Sequence, residues 1–122
     1  MKKPTKTSLR NKADKLAGQL CRSKGKCEHC GKTETLQWCH IHSRSLGKLR
    51  YDERNCVCLC ASCHAHFHSK PLEFTQFIGK VKGTDIVDYL IRESRILEPL
   101  TIKWYEGVIV ELKEKLCTAC KD

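Results

Sequence analysis

Cys27-Glu28-His29-Cys30-Gly31, then Trp38-Cys39-His40-Ile41-His42, then Asn55-Cys56-Val57-Cys58-Leu59-Cys60-Ala61-Ser62-Cys63-His64-Ala65-His66-Phe67-His68 carry most of the ligand chemistry of this chain. Two Cys-x2-Cys turns, Cys27/Cys30 and Cys60/Cys63, each present a pair of thiolates, and together they close a tetrahedral shell around zinc. Such a shell leaves no position for water, so the expected zinc is structural. Gly31 supplies the backbone freedom that a tight cysteine turn requires. Cys21, Cys56, Cys58, Cys117 and Cys120 compete for ligand places, and Cys117-x2-Cys120 lacks a flanking turn glycine.

The apolar run from Leu36 to Ile41 reads as a strand, and Cys56 to Leu59 as a second. A polar loop holding Arg44, Lys48, Arg50 and Arg54 joins them, and Ala61 to about Ser69 reads as a helix ended by Pro71. Outward from this unit, residues 1–6 read as unstructured. Leu9, Ala13, Leu16, Ala17 and Leu20 recur at helical spacing from about Ser8, opposite a basic face that includes Lys12 and Lys15. Beyond Pro71, three periodic stretches read as helices: Phe74 to Val81, Ile86 to Ile91 and Ile102 to Leu116. Gly83 and Thr84 act as stop and N-cap between the first two, and Pro99 separates the last two. The expected organisation is a basic tail and helix over 1–24, a zinc-containing core over 25–70 and a helical extension over 71–122. The extension either packs on the core or serves a homodimer.

The 122 residues bound the chain to one compact α+β domain, and the ten cysteines indicate either a secreted disulfide scaffold or an intracellular metal protein. Met1 to Leu20 is Lys-rich with no continuous apolar segment, which excludes export or membrane insertion by that stretch and points to a reducing, cytoplasmic compartment. The net charge of +9 is uneven: residues 1–32 hold ten Lys/Arg against Asp14 and Glu28. Such a block attracts polyanions, and nucleic acid is the expected partner.

His64 and His68 lie four residues apart on one helix face, so both imidazoles can reach one metal, while His66 points elsewhere. With His40 at the end of the first strand and Asn55 opening the second, the run from Cys27 to His68 resembles the HNH endonuclease family, often embedded in two Cys-x2-Cys pairs. The phrase from His40 to Arg44, with Leu49 to Asp52 and Asn55 downstream, is similar to small phage-encoded HNH proteins associated with recombination, which would place the chain in the bacterial host cytoplasm.

The resemblance implies a ββα-metal core that hydrolyses DNA phosphodiester bonds, RNA being the rival substrate. It makes His40 the general base and has His64, helped by His68, hold one divalent cation: magnesium, manganese, nickel or zinc. Asn55 either orients His40 through its side-chain amide or completes the metal shell. Arg44 and Arg50 clamp the scissile phosphate, for which a guanidinium fork is suited. Cys39 occupies the place where many members carry an Asp or His ligand; a thiolate there favours a softer ion such as zinc, whereas an uninvolved thiol leaves the shell short of a ligand. His42 is an alternative ligand. Two other functions compete: a catalytically silent zinc module that binds DNA or a recombination partner, and a zinc-finger regulator, for which no base-reading helix is evident. Trp38 and Trp104 read as packing residues.

Overall fold

The computed structural model describes residues 3–42 and 47–119, and the order of elements is α1 (Lys6–Arg22), β1 (Leu36–His40), β2 (Cys56–Cys60), α2 (Ala61–Ser69), α3 (Pro71–Lys82), α4 (Thr84–Glu93) and α5 (Ile102–Ala119). The fold is α+β. Two short 3-10 turns, Gly47–Tyr51 and Glu53–Asn55, lie in the loop between the strands.

β1 and β2 pair antiparallel, Trp38 opposite Cys58 and Cys39 opposite Val57. Alternation sends successive side chains to opposite faces. Cys39, Val57 and Leu59 face a core shared with Cys63 and Phe67 of α2 and Ile78 of α3. Cys56 and Cys58 face the other way, packing with Leu36, Trp38 and Cys21 of α1. The small sheet is thus covered on both faces by helices, which explains why every residue of β2 is buried. No helix among the described residues is long and apolar enough to cross a membrane.

Local chemistry sets the helix boundaries. The Thr5 side chain accepts from the Ser8 backbone N–H at 3.1 Å, and the Ser8 hydroxyl accepts from the Thr5 N–H at 3.0 Å. This reciprocal cap starts α1 at Lys6, ahead of the Ser8 start expected from apolar spacing, and gives Thr5 and Lys6 an ordered place. Pro71 occupies the first turn of α3, where its missing N–H costs nothing, so it opens a new helix as well as ending α2. Thr84 is the first residue of α4; its N-cap is Gly83, whose φ of +92° is the left-handed region that glycine tolerates.

The extension does not pack as one block on the sheet. Ile78 of α3 enters the α2 core, while Tyr105, Ile109 and Leu112 of α5 pack on Leu9, Ala13 and Ala17 of α1. The two alanines let the helix backbones approach closely. Trp38 and Trp104 lie against this second cluster, as expected of packing residues.

Candidate functional site

Cys27, Cys30, Cys60 and Cys63 bring their sulfurs within 4.8 Å of one another, the one such His/Cys/Asp/Glu cluster among the described residues. Cys30 Sγ lies 3.7 Å from Cys60 Sγ. That matches the edge of a tetrahedron with metal–sulfur bonds of about 2.3 Å, roughly 3.8 Å. The donor set therefore fits a four-coordinate ion, and the cluster can hold one. Two turns build it. Gly31, at φ +80°, closes the first, where its N–H donates to the Cys27 carbonyl at 2.9 Å. The first residues of α2 form the second. Burial opposes ionisation of Cys27, yet backbone N–H groups at Cys30, Cys60 and His29 bring its thiol down to about 6. The Cys63 backbone N–H, at the start of α2, likewise lowers Cys60.

Two residues that spacing did not single out complete the knuckle. Glu28 exchanges backbone hydrogen bonds with β2, its N–H donating to the Cys58 carbonyl at 2.8 Å, while its carboxylate accepts from the Cys58 N–H at 2.6 Å and from Lys24 Nζ at 3.1 Å. His29 places Nδ1 3.2 Å from Cys63 Sγ and its ring edge-on to Phe67 and Phe77, at 4.9 and 5.2 Å. With a metal bound, an Nδ1–H there would orient the Cys63 sulfur and temper its charge.

At the other end of the hairpin, a cleft of about 200 Å3 is lined by residues of β1 (Cys39, His40), Ile41, and residues of α2 (His64, Phe67, His68), with Pro71 and Phe74 closing one side. The histidines expected to act together therefore border one space. They do not form a preassembled metal shell: among the described residues only the four-cysteine cluster gathers three or more donors. His64 Nδ1 donates to Gln37 Oε1 at 2.5 Å, and the Cys39 thiol donates to the Gln37 carbonyl at 3.6 Å. Burial pushes Cys39 up to about 12, which favours the uninvolved thiol over the thiolate at that position. Burial, with the charge of His68, holds His64 below the ordinary imidazole range and keeps its ring neutral, the form that ligates.

His40 lies on the α1 face of the sheet, its ring 4.3 Å from that of Trp38. Its Nε2–H donates to the Arg50 carbonyl at 3.0 Å, which puts the basic lone pair of the neutral ring on Nδ1. Asn55 does not touch His40 through its amide, as one expectation had it. Fully buried, it accepts from the His42 N–H at 2.7 Å and donates to the carbonyls of His42 (3.1 Å) and Leu49 (3.0 Å). Asn55 thus ties the start of the inter-strand loop, at His42, and its middle, at Leu49, to the foot of β2. His42 contributes backbone to this clasp, and exposed His66 faces Glu73 at 3.8 Å.

Among the described residues, the loop cations are already engaged. Arg50 forms a bidentate pair with Asp14 (2.7 and 2.6 Å), so a phosphate clamp by Arg50 would first have to break it. Lys48 pairs with Glu93 at 3.2 Å and Arg54 with Asp52 at 3.0 Å. Arg44 and Cys120 lie outside the described residues. Lys12 and Lys15 are exposed on α1, and Lys12 lies close enough to Lys113 of α5 to lower its ionisation, which makes a positive spot on that side.

No family model matches the chain, and neither the curated proteins nor the solved structures yield a match.

Proposed function

We propose that the chain is a metal-dependent DNA endonuclease of the HNH type, its four-cysteine cluster holding zinc for structure and its histidine cleft holding one divalent cation for hydrolysis. The observation that carries this reading is that one hairpin, running without a break into α2, sets the His64 and His68 pair beside the end of β1, where His40 lines the same cleft with its ring turned to the α1 face. His64 and His68, one helical turn apart, are the nitrogen donors assigned to the cation. The cation, when bound, supplies Lewis-acid stabilisation of the departing oxygen.

The chain's own residues do the rest. His40, oriented by the Arg50 carbonyl, takes a proton from the attacking water at Nδ1. Asn55 holds the loop that carries that carbonyl. Lys12, Lys15 and Arg44 bind DNA phosphates, a contribution that weakens as salt rises.

A silent zinc module that binds DNA is the second reading, favoured by one observation: Cys39 is a buried thiol turned to the Gln37 carbonyl, so the cleft lacks the strand ligand an HNH shell uses. Cleavage of plasmid DNA with magnesium, manganese, nickel or zinc added separates the two. The endonuclease cuts, and His40→Ala, matched for folding and DNA affinity, loses cutting by about 100-fold or more, the scale of a general base. Absence of cutting by the parent with every metal, while DNA binding persists, supports the silent module and rules out the endonuclease.

A further inference from the structure

Three buried thiols take no part in the metal cluster or the histidine cleft. Cys21, Cys56 and Cys58 are 3, 7 and 0 % exposed and form their own cluster beneath Leu36 and Trp38, on the α1 face of the sheet. Cys21 and Cys56 come from different elements, α1 and β2, and pack together in this cluster. Both also line the wall of a cleft of about 450 Å3, together with Leu20, Lys24, Trp38 and Lys82. A small reagent can thus reach two touching thiols that are otherwise shielded.

The surroundings distinguish the two sulfurs. As a thiol, Cys56 donates to the Glu53 carbonyl at 3.4 Å. Lys24 and Lys82 line the same cleft, and their ammonium groups favour a negative sulfur on Cys56. Cys56 is therefore the nucleophile of the pair and Cys21 the proton-bearing partner.

We propose that Cys21 and Cys56 form a redox-active dithiol, opening on this cleft, that a hydroperoxide oxidises to a disulfide tying α1 to β2. The Cys56 thiolate attacks the terminal peroxide oxygen: the S–O bond forms, the O–O bond breaks, and the alkoxide or hydroxide leaves and takes a proton. Cys56 is then a sulfenic acid, oxidised by two electrons as the peroxide is reduced. Cys21 sulfur attacks Cys56 sulfur, the S–O bond breaks, and hydroxide leaves with the Cys21 proton as water. The balance is two thiols and one hydroperoxide to one disulfide, one alcohol (or water) and one water. This site is independent of the nuclease reading, because it uses none of the cleft histidines.

The test is limited oxidation of the full, zinc-loaded chain with hydrogen peroxide or cumene hydroperoxide. Disulfides are mapped by tandem mass spectrometry without reduction, and released zinc is followed with a chromogenic chelator. The expected result is a Cys21–Cys56 link, lighter by two hydrogens, at oxidant levels where zinc stays bound. The link persists in Cys58→Ser, and in Cys21→Ser the Cys56 sulfenic acid accumulates and is trapped by dimedone. A Cys21–Cys58 link in its place, zinc release before any Cys21–Cys56 link, or absence of the link at full oxidation of the exposed Cys117 each overturns the proposal. The parent map needs no variant, so misfolding of Cys21→Ser leaves the test intact.

Discussion

The two ends of the β1–β2 hairpin hold similar ligand types in opposite states of readiness. At the knuckle end, four sulfurs from two tight turns already converge, with Cys30 and Cys60 at the spacing of a metal-bound pair. At the cleft end, His64 is hydrogen-bonded to Gln37, Cys39 is a buried thiol and His40 is held by a backbone carbonyl. A turn fixes its two donors through the backbone, whereas donors spread over a strand and a helix are aimed by side-chain partners. The first end can hold an ion as it stands; on the proposed function, the second would bind one weakly and exchange it.

The largest effect should come from the knuckle. Structural zinc sites of this type have apparent binding free energies of about 10–16 kcal/mol in peptides, and that energy is folding energy. Cys60→Ser, or chelation of the bound metal, should abolish cooperative unfolding of the hairpin and α2. The measurement is near-ultraviolet circular dichroism with metal analysis, and retention of native packing without metal would break the contrast. Asn55→Ala comes next. It strands the His42 N–H and the carbonyls of His42 and Leu49, and at about 1–3 kcal/mol for a buried polar group left unpaired, a loss of about 3 kcal/mol in urea unfolding is expected. A loss below about 1 kcal/mol would mean that the loop is held by other contacts.

Asp14→Asn should cost about 1–2 kcal/mol by weakening a charge-assisted bidentate pair with Arg50. The Arg50 and Tyr51 side chains outweigh the burial that opposes ionisation and hold Asp14 below the ordinary carboxylate value of 3.8. Its contribution is thus present above pH 3.8 and fades as pH falls through the lower folded value, so parent and variant should converge in acid. A gap in urea midpoints that stays constant down to strong acid would contradict that origin. The smallest effect belongs to the cleft. His64 should titrate below 6.5 by NMR, chiefly because it is half-buried, and His68→Ala should raise it by removing the neighbouring charge.

Much of the core was legible because its signals are local. Paired cysteine spacing located the four-cysteine cluster, short apolar runs located both strands, and the apolar stripe of α5 held the residues that meet α1. What escaped depends on long-range partners. No spacing rule links Gln37 to His64, although period-two alternation from Cys39 places both strand residues on the α2 face. Arg50 read as a phosphate ligand because its partner, Asp14, stands far away in the chain on α1. Asn55 was expected to orient His40 or complete a metal shell; its burial beneath the loop, invisible in sequence, makes it a clasp for backbone groups.

The most direct test of the contrast between the two ends is metal stoichiometry on the purified chain. Exhaustive dialysis followed by calorimetric titration with manganese or nickel should find one zinc retained, and a second, weaker ion whose binding disappears in His64→Ala. A second ion that binds equally well after loss of both His64 and His68, or zinc that dialyses away while the fold persists, would contradict the account.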